Sequence, residues 1–149
     1  RRQRQMCIRD RDELAAKIAC EQISEEQLEE LVATMHEFEE STKTDNVKKI
    51  AEADVKFHDI IYQSTGNPKL VNMLNNLREQ MYRYRVEYLK EEQTRNLLVS
   101  EHEELVKAIR EGDVQKAQDI SFHHLENQRK AIIRTIRAEN EAKEAEKKE

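Results

Sequence analysis

The stretch that decides the fold class is IAEADVKFHDII, residues 50–61. Its large apolar side chains recur at the spacing of one helical face, at Ile50, Phe57 and Ile61. Asp54 and His58 fall on the same stripe, one helical turn apart. The stretch therefore predicts an amphipathic helix whose buried face carries two ionisable side chains.

The composition of the whole chain also favours helices. Of the 149 residues, 37% are apolar and 38% are charged, and the formal net charge is −5. Two glycines and one proline leave few tight turns, which argues against β-hairpins and β-sandwiches. No apolar run approaches the 18 residues of a membrane-spanning helix. Two cysteines without metal-ligand spacing favour a reduced, cytoplasmic setting. We expect an all-α protein with no membrane contact.

The charges are unevenly distributed along the chain. Residues 1–11 carry five arginines and one aspartate, whereas the body of the chain is acidic and therefore poorly suited to nucleic-acid phosphates. We expect residues 1–8 to be a disordered or non-native N-terminal stub. We expect residues 9–138 to form the helical domain, and residues 139–149 to form a charged tail.

Capping signals divide the domain into helices. Ser24 with Gln27 forms a capping box, and Ser100 with Glu103 forms a second one. The predicted helix starts are Arg9 and the positions after Ser24, Asp45, Asn67, Ser100 and Asp113. Gly66 and Gly112 suit the left-handed position that ends a helix, and residues 41–44 are predicted as a loop. The pattern predicts an antiparallel bundle of about six helices.

Two further histidines belong to buried faces. His102 and His124 fall on the apolar stripes of their helices, whereas His36 and His123 fall on polar faces. One carboxylate and three imidazoles are therefore predicted to converge inside the bundle. Buried ionisable groups are costly unless they are paired or bind a metal.

Three interpretations of this cluster remain open. A divalent cation could be held by an oxygen of Asp54 and by nitrogens of His58, His102 and His124, at the roughly 2.0–2.2 Å typical of zinc. Alternatively, an Asp–His ion pair and two structural histidines could serve a metal-free dimerisation bundle. A metal-dependent hydrolase would need a general base beside the metal, and we predict that Glu101 lies on another face. We therefore expect no enzyme.

Two ordered motifs resemble the signatures of a known family. The first is D-x-x-F-H followed by G-N, at Asp54, Phe57, His58, Gly66 and Asn67. The second is E-H, then A-I-x-x-G-D, then H-L, at Glu101-His102, Ala108–Asp113 and His124-Leu125. They resemble the FCD domain, the C-terminal effector-binding domain of FadR-subfamily GntR transcription regulators. The similarity covers about residues 9–136.

The resemblance implies a function as well as a fold. It implies a homodimeric all-α domain in which the Asp and three His hold zinc, nickel, manganese or a similar ion, beside which a small carboxylate or sugar acid binds. Effector binding would alter the dimer geometry. DNA would be contacted only through a winged helix-turn-helix domain, which we expect to be absent from this chain.

The resemblance also suggests contacts to the effector. Arg9 matches by spacing a ligand-contacting arginine of the family, and the other candidates are Arg78, Arg83, Arg85 and Tyr84. The sequence departs from the family at Asp12, where an apolar residue is usual.

Overall fold

The structure, a computed structural model, describes residues 2–147, with side chains from residue 10 onwards. Within this part of the chain it contains six helices and no strand. They are α1 (Arg2–Gln22), α2 (Glu25–Thr42), α3 (Val47–Ser64), α4 (Pro68–Tyr88), α5 (Glu92–Glu111) and α6 (Val114–Glu146). The predicted all-α bundle is confirmed. None of these helices combines the length and apolarity needed to cross a bilayer.

Two apolar clusters, one at each end of the bundle, establish the direction of each helix. Helices α2 to α6 each contribute to both clusters. The first cluster includes Leu31, Phe57, Leu74, Leu105 and Ala117. The second includes Phe38, Ile50, Tyr88, Leu98 and Ala131. Along the chain, α3 and α5 run from the second cluster to the first, whereas α2, α4 and α6 run the opposite way. Successive helices from α2 to α6 are therefore antiparallel.

Helix α1 closes the bundle through small side chains. Ala15, Ala16 and Ala19 are almost completely buried in the first cluster. The absence of larger side chains at these positions allows the helix to approach its neighbours closely. Its most extensive contact is with α6, and it also packs against α3, α4 and α5.

Several predicted helix ends are confirmed. Ser24 accepts a hydrogen bond from the backbone of Gln27, whose side chain accepts one from the Ser24 backbone, which completes the capping box. Asn67 caps α4, with a proline as the first helical residue. Gly66 and Gly112 have φ values of 61° and 67°, a region that L side chains rarely adopt.

Other predicted ends are wrong. Asn46, and not Asp45, caps α3, because its side chain accepts the backbone N–H of Lys49 at 3.1 Å. Helix α5 begins at Glu92, so Ser100 lies inside it and caps nothing. Thr94 and the second-cluster residue Leu98 are both buried and one turn apart, which extends the apolar face of α5 back to its first turn.

The outer boundaries of the helices also differ from the predictions. Helix α1 starts at Arg2 and not at Arg9, so its backbone includes most of residues 1–8, although the side chains there lie outside the described part. Helix α2 continues to Thr42 into the predicted loop. Helix α6 continues through residues 139–146 of the predicted tail, where nearly every side chain is exposed.

Candidate metal and effector site

Polar side chains lie between the two apolar clusters at the middle of the bundle. On α3, Asp54 and His58 follow the second-cluster residue Ile50 and flank the first-cluster residue Phe57. Asp54 is 1% exposed and His58 is 5% exposed, so the inward direction predicted from helical spacing is confirmed. The packing of α5 against α6 brings His102 and His124 to the same level, with 6.3 Å between their ring centroids.

Three ligand atoms meet at this level. His102 Nε2 lies 3.1 Å from Asp54 Oδ1, and His58 Nε2 lies 3.5 Å from the same oxygen. None of these three atoms has a hydrogen-bond partner within the described residues. Together, Asp54, His58 and His102 offer ligand atoms that all lie within 4.8 Å of one another, and they could hold a metal ion. We call this set the triad.

Aromatic rings fix the position of His102. Its ring stacks on Phe57, with 4.0 Å between centroids and an interplanar angle of 18°, and packs against Phe38 at 4.5 Å. These apolar neighbours leave the imidazole 1% exposed. These contacts hold the ring with its Nε2 atom towards Asp54, so the side chain has little conformational entropy left to lose when that atom binds a ligand.

His124 lies beside the triad but its nitrogens are engaged elsewhere. Its ring centroid is 5.2 Å from that of His58. Its Nδ1 lies 2.7 Å from Glu101 Oε2, and its Nε2 lies 3.1 Å from the amide nitrogen of Gln128. The prediction that Glu101 faces away from the site is wrong. Helices α5 and α6 pack closely enough for the Glu101 carboxylate to contact His124.

Charge and burial determine the protonation states of Glu101 and His124. Burial alone would raise the pKa of Glu101, but the hydrogen bonds from His124 and Asn127 and the nearby His102 lower it below its ordinary value. With Glu101 ionised, His124 Nδ1 is the nitrogen that donates its proton, and Nε2 keeps the lone pair that accepts the Gln128 N–H.

The buried histidines are held in their neutral form. Burial lowers the pKa of His58 and His124 below the ordinary value, and that of His102 well below it. The neighbouring His58 and His124 and the charge of Arg85 lower the pKa of His102 further. At neutral pH each ring therefore carries a lone pair, which is the form that binds metals.

A comparison with protein families agrees with this geometry. The FCD domain model matches residues 12–127, which include the triad, Glu101 and His124. The chain belongs to the FCD domain family. FCD domains are the C-terminal effector-binding domains of GntR/FadR-type regulators and are regulatory, not catalytic. The resemblance noted in the sequence is therefore confirmed. None of the curated proteins is similar enough to the chain to count as a relative.

Arg85 of this FCD domain contacts the triad directly. Its guanidinium donates to Asp54 Oδ2, the oxygen that does not face the histidines. The side chain is 10% exposed, and its buried Nε has no hydrogen-bond partner within the described residues. Burial lowers the pKa of Arg85 to about 10, so the group stays charged at neutral pH. The sequence predicted Arg85 at the site but not its pairing with Asp54.

The other predicted effector contacts have partners other than the triad or lie outside the described residues. Arg78 is mostly buried and donates to Asp59 and Asn75, each at 2.6 Å. Arg83 is 69% exposed, pairs with Glu139 and lies over the ring of Tyr84, so these residues are not brought to the triad. The side chain of Arg9 lies outside the described residues, and Arg9 also precedes the matched region.

Two histidines predicted to be at the surface are exposed. His36 lies 3.7 Å from Glu39, and its side chain is 63% exposed. His123 is also exposed, although it is adjacent in sequence to the buried His124. The helical register predicted for α6 is therefore confirmed.

A second buried carboxyl group lies on α1. Asp12 is 7% exposed and accepts a hydrogen bond from the hydroxyl of Tyr62 at 2.7 Å. Tyr62 is one turn beyond His58 on α3. The sequence singled out Asp12 only as a departure from the family, in which an apolar residue is usual at this position.

A separate surface cavity of about 470 Å³ lies near the second cluster. It is lined by Glu39, Thr42, Lys43, Asp45, Glu92, Arg95, Asn96 and Val99. None of these residues belongs to the triad or to the predicted effector contacts, and the lining mixes both charges. The cavity is thus distinct from the site that the histidines define.

Proposed function

We propose that this FCD domain binds a divalent metal ion at the triad and, beside it, a small organic acid whose presence it signals. The observation that carries the proposal is the convergence of Asp54 Oδ1, His58 Nε2 and His102 Nε2, three buried atoms without hydrogen bonds. Each such atom left unsatisfied costs about 1–3 kcal/mol, and a single cation would satisfy all three.

The chemistry of the donors supports a metal more strongly than an ion pair. An Asp–His ion pair would require a protonated imidazole, whereas burial holds the triad histidines neutral. Two imidazole nitrogens and a carboxylate oxygen are ligands that zinc accepts, and nickel or manganese can also use them. We take zinc as the first expectation.

His124 is the fourth proposed ligand. Its Nδ1 is held by Glu101, which leaves the Nε2 lone pair available once the Gln128 amide gives way. A carboxylate that accepts the second N–H of a ligating histidine fixes its tautomer and raises its basicity. Glu101 is thus proposed as the residue that positions His124.

Arg85 has two roles in the proposal. By holding Asp54 Oδ2, it turns Oδ1 towards the histidines. Its unpartnered Nε–H is a buried donor that could meet a carboxylate oxygen of the acid, in a charge-assisted hydrogen bond. When bound, the metal would supply a positive centre with an open position for the same carboxylate.

The proposal extends to the partners of the domain. FCD domains mediate dimerisation in GntR regulators, and we propose that this one forms a homodimer. Binding of the acid would tighten α3, α5 and α6 around the site and change the dimer geometry. DNA would be reached in the cytoplasm through a winged helix-turn-helix domain outside the matched residues.

Native mass spectrometry with elemental analysis tests the proposal directly. We expect one zinc, nickel or manganese ion per chain after titration, and a loss of that mass after chelation. A small acid that leaves together with the metal would support the effector role as well. Failure of all three metals to bind at micromolar concentration would contradict the proposal and favour a metal-free dimerisation bundle.

Glu101→Gln tests the role of His124. The glutamine keeps the size of the side chain but removes the charge that stabilises the His124 tautomer. We expect metal affinity to fall about 10–100-fold, measured by competition with a chromogenic chelator. Glu103→Gln is the matched control, because Glu103 lies on the same helix and is exposed. Equal affinities in the two variants would show that Glu101 does not support a ligand.

A further inference from the structure

The surface cavity near the second cluster lies where α2 ends and α5 begins. Its lining consists of Glu39, Thr42 and Lys43 at the end of α2, Asp45 in the connection that follows, and Glu92, Arg95, Asn96 and Val99 on α5. The α5 residues recur every three or four positions, so they share one face of the helix. The volume of about 470 Å³ lies within the roughly 300–1,000 Å³ of small-molecule sites. The cavity is therefore large enough for a small polar ligand.

Arg95 brings a donor group without a partner to this cavity. The side chain is partly buried, and its Nε is shielded from solvent without a hydrogen bond to any described residue. Its guanidinium also forms no ion pair with the described residues, although Glu92 lies one turn earlier on the same face. Helix α5 starts without a side-chain cap, which adds partial positive charge at the same end. A carboxylate in the cavity would supply the missing acceptor.

The rest of the lining is acidic. The ammonium group of Lys43 is already paired with Glu40, which does not line the cavity. Negative charge comes from three lining residues, Glu39, Asp45 and Glu92. Asp45 and Glu92 have no ion pair with the described residues. A simple anion would be repelled by these carboxylates, and a simple cation would leave Arg95 without an acceptor. The lining therefore favours a ligand that carries charges of both signs.

We propose that this cavity binds a free amino acid with a basic side chain, such as lysine or arginine. Its carboxylate would meet Arg95, and its α-ammonium group would meet Glu92, one turn away on the same helix face. The side-chain cation would lie against the carboxylates of Glu39 and Asp45. Three carboxylates and two cations line the cavity, so a ligand with a net charge of +1 neutralises it. This site is separate from the triad and does not depend on a bound metal.

Three compounds with one carbon skeleton test the proposed ligand class. Norleucine is lysine without the side-chain ammonium group, and cadaverine is lysine without the carboxyl group. In calorimetric titrations, we expect lysine to bind at millimolar concentration and cadaverine to bind at least about tenfold more weakly, because it offers Arg95 no acceptor. Norleucine should bind at least about threefold more weakly than lysine, since ion pairs to exposed carboxylates contribute less. Equal affinity of lysine for either analogue would contradict the proposal.

Substitutions in the lining assign the binding to the cavity. Arg95→Gln should weaken lysine binding at least about tenfold. Arg110→Gln is the matched control, because it removes the same charge at an exposed position of α5 outside the lining. Asp45→Asn changes an exposed side chain that the fold does not require, and it should weaken lysine while leaving norleucine unchanged. Equal losses in Arg95→Gln and Arg110→Gln would overturn the site.

The same titrations in chelator-treated protein separate this inference from the proposed function. Amino acids also ligate metals, so lysine binding that persists after chelation and in Asp54→Asn would support a site away from the triad. Lysine binding that requires the metal would overturn the cavity site and leave the proposed function intact. Failure of both lysine and arginine to bind at millimolar concentration would also overturn the inference, without affecting the metal titration.

Discussion

His102→Ala is expected to abolish stoichiometric metal binding. The substitution removes one of three ligand atoms that lie within 4.8 Å of one another, and the ring is held in place by its contacts with Phe57 and Phe38. No solvent-exposed side chain can replace a ligand in a position that is 1% exposed. Titration followed by native mass spectrometry should show less than one tenth of the wild-type occupancy at equal free zinc.

The controls for this prediction distinguish loss of a ligand from loss of the fold. His102→Ala also leaves a cavity, which costs about 2–5 kcal/mol of unfolding free energy by analogy with other large-to-small substitutions. Asp54→Asn keeps the volume and should abolish binding as well, because the amide oxygen lacks the negative charge. His123→Ala, at an exposed position next to His124, should bind metal normally. Equal loss of metal in His123→Ala would contradict the site.

The inward positions of the four proposed ligands could be predicted because each depends on one helix alone. A period of 3.6 residues places Asp54 and His58 on the stripe of Phe57, and it separates His124 from His123. In the structure Asp54, His58 and His124 are buried and His123 is exposed, as this period requires. Helix direction could also be predicted, since short connections force neighbouring helices to be antiparallel.

The contacts between helices could not be obtained in this way. Glu101 is one residue from His102 and points about 100° away from it on the helix, yet it reaches His124 because of the distance and rotation between α5 and α6. The pairing of Arg85 with Asp54 and that of Asp12 with Tyr62 depend on the same tertiary geometry. A sequence pattern within one helix contains no information about the distance or the rotation between two helices.

The incorrect start of α5 has a different cause. Ser100 and Glu103 match a capping box by residue type and spacing, but both side chains are exposed in the interior of the helix. The true start at Glu92 has no side-chain cap, and it is stabilised instead by burial of Thr94 and Leu98. Tertiary packing therefore outweighs a local capping motif that contributes about 1 kcal/mol.

Chelation of the metal is expected to weaken binding of the acid at least 100-fold. In the proposed site the acid carboxylate meets both the metal and Arg85, whose Nε–H is the donor left free beside Asp54. Removing the metal takes away the larger positive charge and leaves Asp54 with only Arg85 to oppose it. Titration of the tightest acid found, with and without a chelator, measures the factor directly.

Thermodynamic linkage makes this expectation stricter. If the metal tightens binding of the acid by a given factor, the acid must tighten binding of the metal by the same factor. Each ligand should also stabilise the fold, by about 2.7 kcal/mol at 100 times its dissociation constant, so thermal denaturation provides an independent measurement. Asp54→Asn should reduce the stabilisation by the acid as strongly as chelation does. An acid that binds undiminished in both conditions would have to lie away from Asp54, and the metal would then be a structural element of the bundle that takes no part in sensing.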